Sequence, residues 1–455
     1  MEQSASREIQ LATASTNNED QNTQKEANSS GGNENKEDLL VIETREMVEG
    51  PQIQYSSEQC RIYKVPPQLR KRNEEAYTPQ VISIGPFHHK NERLKAMEVH
   101  KERYLRSFVK RSNINLEYLV GKIKEMEDKI RLCYAEVIDL TRDRFVKMIL
   151  VDACFILELF FRRRSESLTK STSSLVGEAR AAALKVDLLL LENQLPFFVI
   201  EELHQLAFPS LSNADPCLSN YDILLKLSIS YFKFRDNNIQ FIQKAHSNVK
   251  IEYFTDLIRT FQLPPPEKLP KRGNEWVGLS YSATQLHEAG IKFEVVESKC
   301  RFDIKFEDGV LKIPTLELNR WTEVVTRNIM ALEQTRYLED GDFTDYFLFI
   351  DSLINTREDV DLLCNKKILV NHLGDNNAAT SMINDLNKGI LLMPTREDYV
   401  DLCNKLNSFY KEPWHSWKAT LRRQYFSTPW RAASTVAAII LLVLTFIQTA
   451  CSIIK

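Results

Sequence analysis

Glycine is scarce in this chain: 13 residues of 455, roughly 3% against an average near 7%. Phosphate-cradling loops need several glycines close together, and none of G-x-G-x-x-G, G-x-x-x-x-G-K-[ST] or G-x-S-x-G occurs. The common nucleotide-binding and hydrolase folds therefore lose their main support. No C-x-x-C spacing appears among the eight scattered cysteines (Cys60, Cys133, Cys154, Cys217, Cys300, Cys364, Cys403 and Cys451), so reduced, mostly buried thiols are expected. Residues 1–30 carry no apolar signal-like stretch, and a reducing, cytosolic setting is expected for most of the chain. Charge of one sign is also lacking. The balance of 59 Lys+Arg against 62 Asp+Glu leaves a formal net charge of only -3, and a global balance like this recruits neither nucleic acid nor a general acidic partner.

What is present starts at the far end. Ala432 to Ile454 is a run of 23 residues without a charge, about 34 Å long as a helix and sufficient for a bilayer core. Lys418, Arg422, Arg423 and Arg431 precede it and only Lys455 follows, so the positive-inside rule keeps residues 1–431 in the cytosol. Trp414, Trp417, Tyr425, Phe426 and Trp430 lie where ring side chains favour headgroups, and WHSWKATLRRQYF is expected to lie against anionic lipid. The expected arrangement is a tail-anchored, single-pass protein in a plasma membrane or endomembrane.

Residues 1–50 are polar and expected to be a disordered arm. A helical core half follows over 51–262, opening with an extended segment in which Pro66, Pro67 and Pro79 restrict the backbone. Apolar positions from Leu94 to Phe108 and from Leu116 to Val137 recur at helical spacing. Arg144–Arg164 and Val186–Leu203 are apolar nearly all round, reading as central helices, the second broken at Pro196. A proline-rich connection over 263–283 precedes an expected β-hairpin insert over 284–320, turning at Asp308-Gly309. Helical periodicity resumes over 321–426. The fold class is therefore mainly α: a multi-helix globular domain, a small antiparallel β-hairpin insert and one transmembrane helix over 432–454. A short repeat, TREDVDLLCNK at Thr356–Lys366 and TREDYVDLCNK at Thr395–Lys405, reads as two similarly capped helix starts, with a duplicated partner-binding motif as the alternative.

Candidates for chemistry are few. VISIGPFHHK delivers His88 and His89 side by side, but on a helix adjacent side chains diverge by about 100° and rarely converge on one ion. His100 and Glu98 could assist, and HEAGI at His287 has Ile291 where H-E-x-x-H needs its second histidine. Helix-entry packing is the expected role of His88 and His89. Asp152, Asp187 and Glu192 lie within apolar stretches, where burial raises carboxyl pKa values and could poise them for acid–base work. The alternative is that they cap helices or bind Asn193, Gln194 or a neighbouring arginine. No nucleophile or cofactor loop accompanies them, so no residue is assigned as catalytic, cofactor-binding or metal-ligating. Arg162-Arg163-Arg164 is read as the basic end of a core helix, meeting its dipole.

The phrases RIYKVPPQLR, AYTPQVISIGPFHH, LKAMEVHKERYL, DACFILELF, DLLLLENQLPFFV, ATQLHEAGIKF, FDIKFEDGVLKIPTL, RNIMALEQ and the terminal WKATLRRQYFSTPWRAASTVAAIILLVLTFIQT occur in this order. They resemble the plant domain-of-unknown-function family 247, from about residue 60 to the end. The resemblance implies a mostly helical plant protein with a C-terminal membrane anchor and no established enzymatic activity. Members in grasses that determine pollen self-incompatibility imply a recognition role. The leading expectation is a membrane-anchored interaction or recognition module with a protein partner and no cofactor, nucleic acid or small-molecule substrate. The alternatives are a membrane-associated hydrolase or transferase using the buried acids, and a structural scaffold.

Overall fold

The computed structural model describes residues 41–42, 44–45, 61–169, 178–208, 219–232, 250–264, 269–298, 300–412 and 429–454. The chain divides into two units, Met1–Glu58 and Gln59–Lys455. Of the first, Val41, Ile42, Thr44 and Arg45 are helical and exposed; the rest of the expected N-terminal arm lies outside the described residues.

The second unit is built on α1 (Lys95–Ser112), α2 (Leu116–Leu132) and α3 (Arg142–Thr169). Helix α3 is apolar on every side through its middle. Phe145, Ile149, Ala153, Cys154, Ile156 and Leu157 are all buried to within 1%, as a helix enclosed by others requires. Asn115 begins α2 by accepting the Glu117 N–H, and Asn113 ends α1 in the left-handed region at φ 54°, a conformation asparagine tolerates. Around α3 pack α4 (Glu178–Asp187), α5 (Phe197–Ala207), α6 (Asn220–Phe232) and α7 (Phe254–Gln262). Phe160 contributes an edge to both Phe232 and Phe254 in this layer.

Beyond the connection, α8 (Ala283–Ala289) starts with a capping box between Ser282 and Gln285. Strands β1 (Lys292–Val295), β2 (Lys305–Glu307) and β3 (Val310–Ile313) follow, then β4 (Leu316–Leu318). Helices α9 (Arg320–Thr335), α10 (Asp342–Leu353) and α11 (Arg357–Asn365) lead to β5 (Leu369–Asn371), α12 (Asn376–Leu386) and α13 (Glu397–Lys411). The last described element is α14 (Pro429–Ile454), 26 residues long.

The sequence expectation of mainly helical structure holds, but several details are corrected. The hairpin insert is a mixed sheet in the order β1-β3-β2. Strand β3 pairs antiparallel with β2 through Asp308-Gly309, both at positive φ, and parallel with β1. A second, parallel pair joins β4, at the end of the expected insert, to β5, which lies inside the half expected to be helical. Alternation identifies a strand but not the direction of its neighbour, which is set by chain connections. The apolar run 188–196 is not helix: α4 stops at Asp187 and α5 starts at Phe197, with Pro196 as its N-cap. Val137 is 98% exposed and outside α2, and Pro67 begins a helical turn instead of extended backbone. Lys418, Arg422 and Arg423 lie outside the described residues.

Candidate functional site

The apolar-flanked segment DLLLLENQLP explains why it leaves the helical path. Its polar side chains occupy the backbone of the incoming chain. Asp187 Oδ2 accepts the N–H groups of Val81 (2.6 Å) and Ile82 (2.9 Å), while Oδ1 accepts that of Gln80 (3.0 Å). Asn193 accepts the Ile84 N–H at 2.7 Å and donates to the carbonyls of Ile82 and Asp187. Gln194 donates to Leu188 and Leu190 and accepts the Phe254 N–H at 2.9 Å. The VISI run is thus an extended segment whose ladder partners are side chains, which satisfies amides buried away from water.

Two ion pairs extend this seam. Asp152 binds the Lys101 ammonium through Oδ1 (2.7 Å) and the Gly85 N–H through Oδ2 (2.9 Å). Lys101 also reaches Glu98 at 2.7 Å, and its side chain is 1% exposed. Burial, the largest influence on Asp152, pushes its carboxyl above the usual range, and Lys101 opposes it. Glu192 accepts the Val65 N–H at 2.7 Å, meets Arg70 at 2.6 Å and lies 3.3 Å from the His88 Nε2. Burial pushes Glu192 up, but the contacts with His88 and Arg70 outweigh it and leave its carboxyl below the usual value. Burial raises Asp187 to about 6 despite its three amide donors.

The structure therefore brings His88, Glu192, Asp152 and Asp187 to one seam, where each carboxylate already serves as acceptor for protein donors. His88 and His89 lie in the turn before α1, whose helical conformation begins only after Asn91 accepts the Arg93 N–H. Among the described residues, no group of three or more His, Cys, Asp or Glu converges as a metal site would require. Lys101 was not singled out by sequence reading. The available signal was its place on the buried stripe Met97, Lys101, Tyr104, Phe108, where a charge demands a partner.

A second polar centre closes the other half. The backbone of 271–275 pairs with that of 395–397: Gly273 N–H donates to Thr395 O (2.9 Å), Thr395 N–H to Glu275 O (3.2 Å) and Glu397 N–H to Lys271 O (3.0 Å). The side chains repeat the exchange, Arg272 donating to the Pro394 carbonyl and Arg396 to the Pro270 carbonyl. Both guanidiniums then meet the first turn of α10. Arg396 donates to Asp342 (2.8 Å from Nη2), and Arg272 lies 3.2 Å from Asp345. Glu333, wholly buried, accepts the Phe343 and Thr344 N–H groups, the Thr344 hydroxyl (2.6 Å) and Arg259 Nε (2.9 Å). Burial raises Asp345 to about 7, outweighing Arg272.

The two TRED segments differ. Thr356 is an N-cap, and Asp359 completes its capping box while also accepting the Ser282 hydroxyl (2.7 Å) and the Thr284 N–H (2.8 Å). The second helix starts one residue later in its motif: Arg396 is its N-cap, with no side-chain cap, and Thr395 belongs to the clasp. The expectation of two similarly capped starts holds for the first copy only.

These features define a class: a mainly helical protein with small mixed sheets, organised by buried ion pairs, and carrying one C-terminal helix long and apolar enough to cross a membrane. The family model DUF247, described as "Plant protein of unknown function", matches residues 62–444, and the chain belongs to this family. It is similar to two Arabidopsis thaliana proteins. UPF0481 protein At3g47200 is 27% identical over 446 residues, covering 92% of this chain and 90% of that relative. Putative UPF0481 protein At3g02645 is 24% identical over 476 residues, covering 85% of this chain and 89% of that relative. No solved structure matches the chain.

Proposed function

We propose that this chain is a tail-anchored plant protein whose helical domain faces the cytosol and acts as an interaction or recognition module. The observation that carries the reading is α14. Its apolar side chains face outward, with Leu441 64%, Leu442 71% and Phe446 76% exposed, a surface that water disfavours and a bilayer core accepts. Lys418, Arg422, Arg423 and Arg431 before the apolar run, against Lys455 alone after it, support the cytosolic orientation through the excess of upstream cations. Support for a non-catalytic domain comes from Asp152, Asp187 and Glu192, whose oxygens are engaged by Lys101, Arg70 and backbone amides. A general acid or base needs such an oxygen within reach of substrate.

Protease protection of the full chain in microsomes, combined with proximity labelling, tests both halves. The reading expects digestion of the domain from the cytosolic face and reproducible labelling of a protein partner. Glycan on Asn28, within the sequon Asn28-Ser29-Ser30, would reverse the orientation, and labelling with no reproducible protein would defeat the interaction role.

A further inference from the structure

Helices α1 and α3 lie side by side in the same direction. Lys101 pairs with Asp152 near their first halves, and farther along Arg111 Nε meets Glu158 at 2.9 Å and Arg162 Nη2 meets the Ser107 hydroxyl at 2.8 Å. Their later turns therefore pool their charges. Residues 102–112 and 158–164 contain seven Lys and Arg against two acids, in a chain whose overall charge is -3. One of those acids, Glu158, is buried and takes both Arg111 and Arg162 on a single carboxylate. Arg103, Arg106 and Lys110 are exposed along one side of α1, and Arg163 and Arg164 are exposed on α3.

The helix dipole accounts for only part of this concentration. Lys110 and Arg111 do sit in the last turn of α1. Contrary to the sequence reading, Arg162–Arg164 do not end α3, which continues to Thr169, and its last turn holds no basic residue. Lys185, at the end of α4, adds to the crowding, its ammonium pushed down to about 8 by burial and by the charge of Arg163.

We propose that this basic face, formed by the later turns of α1 and α3, docks on the anionic phospholipid headgroups of a bilayer. Guanidiniums bind phosphate oxygens through paired N–H donors, and two adjacent helices present them as a broad row instead of a pocket. Nucleic acid fits less well. Of the aromatics among these cations, Tyr104, Phe108 and Phe160 are buried, Tyr104 beneath the Arg162 guanidinium at 4.2 Å from its ring centre, and Phe161 packs on the Phe208 ring at 4.2 Å, so these rings offer no open base-stacking platform. The inference stands apart from the anchor: α14 would hold the chain at a membrane, whereas this face would hold the domain against a headgroup layer.

The test uses the full chain in neutral phosphatidylcholine nanodiscs, mixed with separate vesicles of phosphatidylcholine alone or with about 30% phosphatidylserine. Capture of the phosphatidylserine vesicles, weakening with salt, is expected. Each cation near such a surface contributes about fivefold, so R103E/R106E/K110E should reduce capture about a hundredfold. R103K/R106K should retain it, and R163E/R164E provides a second charge reversal should the first variant unfold. Equal capture of both vesicle types, capture unchanged in a folded charge-reversal variant, or binding of duplex RNA or polyglutamate with no vesicle capture overturns the proposal. A chain that never enters nanodiscs defeats the anchor reading alone, because vesicle capture can then be measured in solution.

Discussion

A β-carbon added to Gly85 would lie 2.5 Å from the carbonyl oxygen of Gln194. The backbone at Gly85 has φ +72°, and its N–H donates to Asp152, so this residue can neither retreat nor change conformation without giving up that bond. Gly85→Ala is expected to destabilise the domain by roughly 2–4 kcal/mol through backbone strain and overpacking. Gly121, inside α2 with nothing within 4 Å of its added carbon, provides the opposite case. Gly121→Ala should stabilise by roughly 0.5–1 kcal/mol, as alanine does in a helix. Urea midpoints of the two variants check both signs.

Lys101 and Asp152 test the seam as a pair. Lys101→Met leaves the Asp152 carboxylate buried beside the Gly85 amide without its cation and should cost roughly 3–5 kcal/mol. Adding Asp152→Asn removes the charge while leaving an oxygen for Gly85, so the double variant should be more stable than Lys101→Met alone. A double-mutant cycle measures the coupling. Additive effects would mean that the 2.7 Å contact contributes nothing specific.

The order of the helices was legible because their apolar stripes and end signals are local. The clearest cases are α1 and α2, and α3 with its enclosing apolar surface. The seam was not legible. The run of four consecutive leucines in DLLLLENQLP satisfies a helical reading, and only tertiary partners at Gln80, Val81, Ile82 and Ile84 show why Asp187 and Asn193 leave it. The amides of VISIGPFHHK find their partners about a hundred residues further along the chain, at Asp187 and Asn193. The clasp was invisible for the same reason. Arg272 lies in a proline-rich stretch and Arg396 in a repeat, and nothing local pairs either with Asp342 or Asp345.

Asp345 gives the clasp a pH dependence with a definite sign. Its folded-state pKa is raised to about 7 from 3.8, so between these values the folded chain binds more protons at this site than the unfolded chain. Stability contributed here is present at low pH and lost as pH rises from about 4 to about 7. Asp345→Asn cannot ionise. Relative to the parent, it should therefore gain roughly 2 kcal/mol between pH 5 and pH 8, read from denaturant midpoints at the two values. A parent that gains on the variant over that interval would show that Arg272 controls the site.

The two TRED motifs should respond unequally to the same change. Asp359→Ala removes a capping-box acceptor and strands the buried Ser282 hydroxyl and the Thr284 amide, for a cost of roughly 2–4 kcal/mol. Asp398 accepts the N–H of its neighbour Tyr399 at 3.0 Å, the second helix start has no side-chain cap, and burial raises the Asp398 carboxyl pKa. Asp398→Ala should stay within roughly 1 kcal/mol of the parent. Equal losses, compared by thermal unfolding, would restore the idea of two equivalent caps.

Helix α14 can be tested without reference to any partner. Leu442 lies near the middle of the apolar stretch Ala433–Ala450 and is 71% exposed. An arginine at the centre of a membrane helix costs about 2.5–3.5 kcal/mol on insertion scales. Leu442→Arg is therefore expected to shift the full chain toward the soluble fraction after carbonate extraction. Because this side chain is outside the packed core, the urea midpoint of the domain should not move. The opposite pattern, an unchanged membrane fraction with a destabilised domain, would mean that α14 is a packing helix of the fold, and the anchor reading would fail with it.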